Sequence, residues 1–430
     1  MKSLPLSLHL YRVACALFRP IAPLFLFIRS RSGKEDNTRI SERRGGPTRA
    51  RPPGHLVWLH GASVGESVSL IPIVYALTER KFSVLVTSGT VNSARVLERR
   101  LPPGALHQYI PLDMPGYVYG FLAHWRPDLA IFAESELWPN LILETHARDI
   151  SIVLVNARMS ERSFRRWSMM RGMARTLLSC VDICLAQTQT DAERLSRLGA
   201  PSVTIAGNLK FDVEAPPASP IKLSAMKGLV GGRPVWLAAS THPGEDALIL
   251  EAHQILKRRV RGILTIIAPR HPERGRNIAA IATRAGFHAS LRSSGFVPDA
   301  STDIYVADTI GEMGLFYRLA PIVFMGGSLV PHGGQNPIEP AKLGAALIHG
   351  PHTENFHDIY SELDRAGGSI TVRDANTLAE CVVGMIAQPS EMRLVARASA
   401  DTVTRLGGAL DRIMSEIAPY LVKMHLGSDS

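Results

Sequence analysis

The stretch Met325-Gly326-Gly327-Ser328-Leu329-Val330-Pro331-His332-Gly333-Gly334-Gln335-Asn336-Pro337-Ile338-Glu339-Pro340 follows the apolar run Ile322-Val323-Phe324. That run reads as a buried strand, and the residues after the glycines read as a helix start. Asn336 is expected as the N-cap, Pro337 in the first turn and Glu339 three residues after the cap. A glycine-rich strand-to-helix turn lets a ligand approach the backbone, and the helix start favours anions. A carboxylate in that first turn can accept hydrogen bonds from ribose hydroxyls. The competing reading is a capping box, with Glu339 merely closing the helix end.

The same punctuation recurs along the chain. His55–His60, Phe82–Thr87, Leu129–Ala133, Ile152–Asn156 and Val181–Ala186 read as strands of a first half. Pro234–Ala239, Ile263–Ala268, Ile304–Ala307, Ile322–Met325 and Ala345–Ile348 repeat the pattern in a second. Near-continuous apolar strands separated by helical segments imply parallel sheets covered on both faces, an α/β chain with two doubly wound, Rossmann-like domains. The expected organisation is a membrane-associated segment over 1–54, a first domain over 55–212, a proline-rich linker over 213–221, a second domain over 222–389 and a helical segment over 390–430. Ligands are expected in a cleft, at the carboxyl ends of the strands.

The net charge of +10 is localised: residues 1–54 hold 11 Lys and Arg against 3 Asp and Glu, leaving 37 against 35 in the rest. A near-neutral body argues against nucleic acid as partner. Leu4–Ile28 is mostly apolar but interrupted by His9, Arg12, Arg19, Pro20 and Pro23, so a straight spanning helix is not expected. An amphipathic or marginal signal-anchor segment followed by Arg29, Arg31, Lys34, Arg39, Arg43 and Arg44 suits anionic lipid on a cytoplasmic face. The competing reading is a disordered basic tail. The four scattered cysteines form no C-x-x-C pair, which fits a reducing compartment and no zinc site.

Three readings compete for His60-Gly61-Ala62-Ser63-Val64-Gly65-Glu66-Ser67. A phosphate loop would need Lys where Glu66 stands. A serine hydrolase would use Ser63 in the G-x-S-x-G string, but this is the first strand of its domain, with no upstream oxyanion strand. The third makes Glu66 a general base at a glycine-lined helix start, its basicity restored by a second carboxylate nearby. Glu134 and Glu136 supply candidates, on one face if their strand continues to Glu136. Lys210 and Arg270 bring positive charge to strand ends, and Asp308–Met313 is expected to start a helix able to meet an anion. No Asp-x-Asp, H-x-x-x-H or H-E-x-x-H string occurs, so no metal is expected.

In order, His60-Gly-Ala-Ser-Val-Gly-Glu66, Glu134-Ser-Glu-Leu-Trp-Pro-Asn140, Asn156-Ala-Arg-Met-Ser160, Gly207-Asn-Leu-Lys-Phe-Asp212, Pro269-Arg-His271 and Gly333-Gly-Gln-Asn-Pro-Ile-Glu339 resemble the bacterial 3-deoxy-D-manno-octulosonic acid (Kdo) transferases of lipopolysaccharide assembly. The likeness runs over nearly the whole chain. It implies a GT-B glycosyltransferase at the cytoplasmic side of the inner membrane. Such an enzyme moves Kdo from CMP-Kdo to a lipid A precursor of lipid IVA type with inversion and no cofactor. It further implies Glu66 as proton acceptor and Glu136 and Lys210 as supports of the transition state. Pro269, Arg270, Ile310, Gly311, Glu312, Asn336, Pro337, Ile338 and Glu339 match the CMP site. A third possibility is a non-catalytic nucleotide-binding membrane protein that has kept the fold.

Overall fold

Leu56 and Trp58 point to one side of a strand, Val57 and Leu59 to the other, and all four are fully buried. Such a strand belongs inside a sheet covered on both faces. The computed structural model describes residues 4–212 and 215–426. Val213 and Glu214 of the expected linker lie outside the described residues, as do 1–3 and 427–430 of the expected terminal segments.

The chain forms two units, one of residues 1–213 with 407–430 and one of residues 214–406. The first holds β1 (Leu56–His60), β2 (Ser83–Ser88), β3 (Ala105–Tyr109), β4 (Leu129–Ala133), β5 (Ser151–Ala157), β6 (Ile183–Ala186) and β7 (Val203–Ile205). They make one parallel sheet in the order β3-β2-β1-β4-β5-β6-β7. The second unit holds β8 (Val235–Thr241), β9 (Leu264–Pro269), β10 (Ala289–Leu291), β11 (Ile304–Val306), β12 (Ile322–Met325), β13 (Ala346–His349) and β14 (Ser369–Thr371). Its order is β10-β11-β9-β8-β12-β13-β14, again parallel throughout. Strand order reverses between β1 and β4 and between β8 and β12, where a doubly wound sheet opens a crevice at its carboxyl edge.

Four strands escaped the reading of the sequence, β3, β7, β10 and β14, and all four are sheet edges. The residues of β7, β10 and β14 are mostly only partly covered, and β3 buries the polar His107 and Gln108 beside Tyr109, so the apolar run that marks an interior strand is missing. The expected 390–430 segment divides at Gly407. Helix Pro389–Leu406 stays with the second unit, while Ala409–Leu426 covers the first sheet with Ile413, Ile417 and Leu421. Asp212 fixes the returning chain by accepting from the N–H groups of Gly408 and Leu410, each at 2.6 Å.

At the N-terminus, α1 (Leu6–Phe18) and α2 (Ala22–Arg31) meet at 71°, and no single helix among the described residues is long and apolar enough to cross a membrane. Leu6, Leu10, Leu17, Leu24, Phe27 and Ile28 are exposed. Two of the arginines expected to face lipid turn inward instead. Arg39 bonds the buried Glu42 and the His107 carbonyl, and Arg43 is buried between Glu35 and the Ile110 carbonyl. Charge so deep in a protein persists only when paired, and these pairs tie the basic stretch to the first unit.

The diagnostic glycine turn is closed by a residue far away in sequence. The carboxylate of Glu245, fully buried at the start of helix Glu245–Arg259, accepts from the backbone N–H groups of His242, Gly327, Ser328 and Leu329 at 2.9, 2.7, 3.0 and 3.0 Å. Gly327 has φ +68°, and a Cβ on Gly326 would meet the Ser240 carbonyl at 2.6 Å, so neither position accepts another residue easily. Replacing Glu245 with Ala strands these four N–H groups, and at roughly 1 kcal/mol each the second unit should lose on the order of 4 kcal/mol. A urea unfolding midpoint equal to that of the parent protein would contradict this account of the turn.

Candidate functional site

In the first unit the loops after β1 and β4 emerge side by side at the reversal point of the sheet. Ser63 caps α3 (Val64–Ser69), with its Oγ accepting from the Glu66 N–H at 3.3 Å. Glu66 reaches back along the turn. Its Oε2 accepts from the Ala62 N–H at 2.8 Å and its Oε1 from the Ser63 hydroxyl at 2.7 Å. A carboxylate has about four acceptor sites, so Glu66 is held by two bonds with capacity left for a substrate hydroxyl. Gly61 makes this fold-back possible, because a Cβ there would lie 2.9 Å from the Ser67 nitrogen and 3.1 Å from the Glu66 Cβ. Ser63, with φ −98°, lacks the strained backbone of a nucleophile elbow, and its hydroxyl is engaged with Glu66.

The two other acids part company. Strand β4 ends at Ala133, and Glu134 takes φ +53°, so the expectation of both on one strand face fails. Glu134 turns to Lys210, at 3.8 Å from its Nζ. Burial raises the Glu134 carboxyl, Lys210 opposes, and neighbouring Glu66 and Glu136 push it further up. Glu136 turns instead to His60, whose Nε2 is 3.6 Å from its Oε2, and it accepts from the Trp138 indole N–H. Burial would raise Glu136, but His60 and Trp138 outweigh it and hold the group below the usual carboxylate range. Lys210 itself is set by Asn156, a buried φ +51° residue at the end of β5 whose Oδ1 accepts from the Leu209 N–H at 3.0 Å.

In the second unit Pro269 ends β9 and Arg270 stands exposed beyond it. Arg274 folds back onto the Thr241 carbonyl at 2.8 Å and pairs with Asp246. His242, at the end of β8, stacks on His332 with ring centres 3.7 Å apart and has His271 edge-on at 6.2 Å. Burial, then the neighbouring His332 and His271, push His242 down to about 4, so it is neutral near pH 7. Arg270 and Glu339 belong to one neighbourhood, since both bear on the buried Tyr317 hydroxyl, Glu339 raising and Arg270 lowering its proton affinity beneath the larger effect of burial.

The helix after the glycine turn begins one residue later than expected. Pro337 is its N-cap, and the Asn336 side chain bonds the Ile338 N–H at 3.1 Å from one position earlier. Nor does a helix start at Asp308. Its carboxylate takes the Ser293 N–H and hydroxyl at 2.8 and 2.6 Å, while the helix runs from Met313 with Glu312 as N-cap. Ile310 is 88% exposed and Gly311 has φ +85°, a loop conformation that leaves its backbone accessible. Among the described residues no group of three His, Cys, Asp or Glu could hold a metal ion.

Sequence reading passed over three residues of these sites. His60 opens the His60–Glu66 string and closes an apolar strand, a signal to which the sequence alone attaches no role. His242 and Glu245 lie in the strand-to-helix turn His242-Pro243-Gly244-Glu245, where the first-turn acid was the available sign.

Two Rossmann-like parallel sheets are shared with known glycosyltransferase structures. A glycosyltransferase from Rickettsia africae superposes with a TM-score of 0.56 over 86% of this chain and 99% of that one, at 12% identity, a likeness of fold. The fold is therefore of the GT-B type. The model of the family described as 3-Deoxy-D-manno-octulosonic-acid transferase (kdotransferase) matches residues 38–213. The chain is 32% identical to the 3-deoxy-D-manno-octulosonic acid transferase of Haemophilus influenzae, covering 96% of this chain and 98% of that one. It is 34% identical to the same enzyme of Bordetella pertussis, covering 96% and 99%. The chain belongs to the Kdo transferase family, and its activity is Kdo glycosyl transfer.

Glu312 shows how strongly the second unit is cross-linked near this loop. Arg292 grips it through two bonds of 2.9 Å, with Lys222 at 3.0 Å and the Thr309 hydroxyl at 2.7 Å. These partners, Arg292 foremost, hold the carboxyl down to about 2. A depressed native value stabilises the fold above the unfolded value near 4.5 and loses that contribution as pH falls toward about 2. The thermal stability deficit of Glu312→Gln should therefore be full at pH 6 and shrink steadily below about pH 4.5. A deficit that grows on acidification would oppose this assignment.

Proposed function

We propose that this chain transfers Kdo from CMP-Kdo to a lipid A precursor of lipid IVA type, with inversion at the anomeric carbon and without a metal ion or cofactor. The observation that carries the reading is Glu66. It is a half-buried carboxylate held by Ala62 and Ser63 at the carboxyl edge of its sheet, with acceptor capacity to spare and a second carboxylate, Glu136, beside it. In the proposed step the acceptor's hydroxyl oxygen attacks the anomeric carbon while its proton passes to Glu66. The bond from that carbon to the phosphate oxygen breaks, and CMP leaves with the electron pair. Proton acceptance of this kind is worth roughly 10²- to 10⁴-fold in rate.

A CMP leaving group carries a single phosphate, and Arg270 is suited to its charge. Pro269, the exposed backbone of Ile310 and Gly311, and Asn336 to Glu339 are assigned to the nucleotide, with Glu339 on the ribose. Glu312 orders the 310–312 loop through Arg292 and Lys222. Lys210 and Glu136 are assigned to support of the transition state.

The exposed apolar faces of α1 and α2, with Arg29 and Arg31 in the last turn of α2, support contact with anionic lipid at the cytoplasmic face of the inner membrane. Holding the enzyme at the surface where a lipid acceptor resides raises the effective concentration of that acceptor.

Incubation with CMP-Kdo, generated in place, and a lipid A precursor should add Kdo mass to the lipid. Glu66→Gln should reduce kcat by at least about 10²-fold with CMP affinity retained. Turnover at the parental rate would remove Glu66 from the role of base.

A further inference from the structure

The geometry points to Trp138 as the platform on which the acceptor's sugar ring lies while its hydroxyl meets Glu66; this rests on the transferase reading above. Of the five tryptophans, Trp58, Trp125 and Trp236 are fully buried and Trp167 is half-buried. The remaining one, Trp138, is 43% exposed. It follows β4 as the N-cap of helix Pro139–His146, and its indole N–H is donated to the Glu136 carboxylate. The indole has no other polar group, so what it shows to solvent is apolar ring, a surface enriched where partners bind.

That ring forms part of the wall of a cavity of about 230 Å³ at the carboxyl edge of the first sheet. The loops after β1, β2, β3 and β4 all contribute, through Ala62, Thr90, Leu112 and Trp138. The first two loops are clamped together. The Gly89 N–H donates to the Ala62 carbonyl at 3.1 Å, and a Cβ on Gly89 would lie 3.0 Å from that oxygen. Ala62 also ties the cavity to the proposed base, since its N–H donates to Glu66 Oε2 at 2.8 Å. A hydroxyl within hydrogen-bond reach of Glu66 has its carbon one bond further on, so the ring that carries it is the part of the acceptor placed to enter this cavity.

Size and charge narrow the occupant. Sites that enclose a whole drug-sized ligand run to ~300–1,000 Å³, so the volume here suits a single ring and not a complete glycolipid. The charged side chains on the wall are committed elsewhere, Arg43 to Glu35 and the Ile110 carbonyl, Asp113 to the Tyr11 hydroxyl and the Leu141 N–H. Neither is left to hold an anion. A sugar ring matches such a wall, because its C–H faces are apolar and weakly positive, and the negative face of an indole attracts them.

Trp138→Ala should raise the KM for the lipid acceptor at least about tenfold and leave the KM for CMP-Kdo within about twofold of the parent. Trp138→Phe keeps an aromatic face but has no N–H for Glu136, and should return the acceptor KM to within about threefold. Equal rises in both variants would reduce the indole to a hydrogen-bond donor for Glu136 and overturn the proposal, as would no rise in either. A second measurement needs no turnover. The part of acrylamide quenching of tryptophan emission that is lost in Trp138→Phe should be suppressed in the parent by the deacylated sugar headgroup of the lipid A precursor. Suppression by the intact lipid or by bare detergent micelles, with none from the headgroup, would assign the cavity to an acyl chain and refute the inference. Absence of Kdo transfer by the parent protein would instead refute the reaction, with the quenching still deciding whether a sugar covers Trp138.

Discussion

A parallel sheet buried on both faces confines chemistry to its ends. Along β1 the side chains of Leu56 through Leu59 alternate into two apolar cores, and the backbone N–H and C=O groups are spent on β2 and β4. A polar group within that span loses its water and needs a partner inside the core, as the Trp58 indole N–H finds in the Thr87 hydroxyl at 2.8 Å. His60 is the first residue that can face a functional group, and Glu66, Glu134, Glu136 and Lys210 all follow strand ends on the same edge. The second unit obeys the same constraint, with His242 after β8, Arg270 after β9 and the glycine turn after β12. Because strand order reverses between β1 and β4 and between β8 and β12, the loops there part and leave room for a ligand.

The two edges differ in charge. The first gathers carboxylates, each given a separate partner: Ala62 and Ser63 for Glu66, Lys210 for Glu134, His60 and Trp138 for Glu136. Like charges kept close but separately satisfied can differ in proton affinity, the condition for one of them to act as a base. The second edge gathers Arg270, Arg274 and three histidines, the chemistry of anion binding. Its own carboxylates are committed to structure. Glu245 ties down four N–H groups and Asp246 holds Arg274. Both sites thus gain rigidity from groups that need not touch substrate.

Interior strands were readable because burial on both faces demands an unbroken apolar run. Leu129–Ala133 and Ile322–Met325 came out at their true bounds for that reason. Edge strands such as Ala289–Leu291 carry no such demand, since one side meets solvent. Turn chemistry was legible in kind but displaced in place. Asn336 bonds the first N–H of its helix from one residue before the N-cap, and Asp308 starts no helix but binds Ser293. Arg39 and Arg43 looked like lipid-facing charges because a run of arginines carries no record of the acids it will meet. Glu35 and Glu42 lie among them in sequence, and the fold closes those pairs.

The sequence by itself determined the α/β class, the two parallel sheets, the family, and which loops carry acids and bases. These follow from local patterns: apolar runs, glycine turns and ordered short strings. Tertiary structure alone decided which partner each charged group received. That His60 stands against Glu136, Glu245 beneath residues 327–329, and Asp212 at the head of the returning helix depends on chain segments separated by about 80 to 200 residues in the last two cases. Electrostatic partnership is a matter of distance and burial, and neither is written in the order of residues.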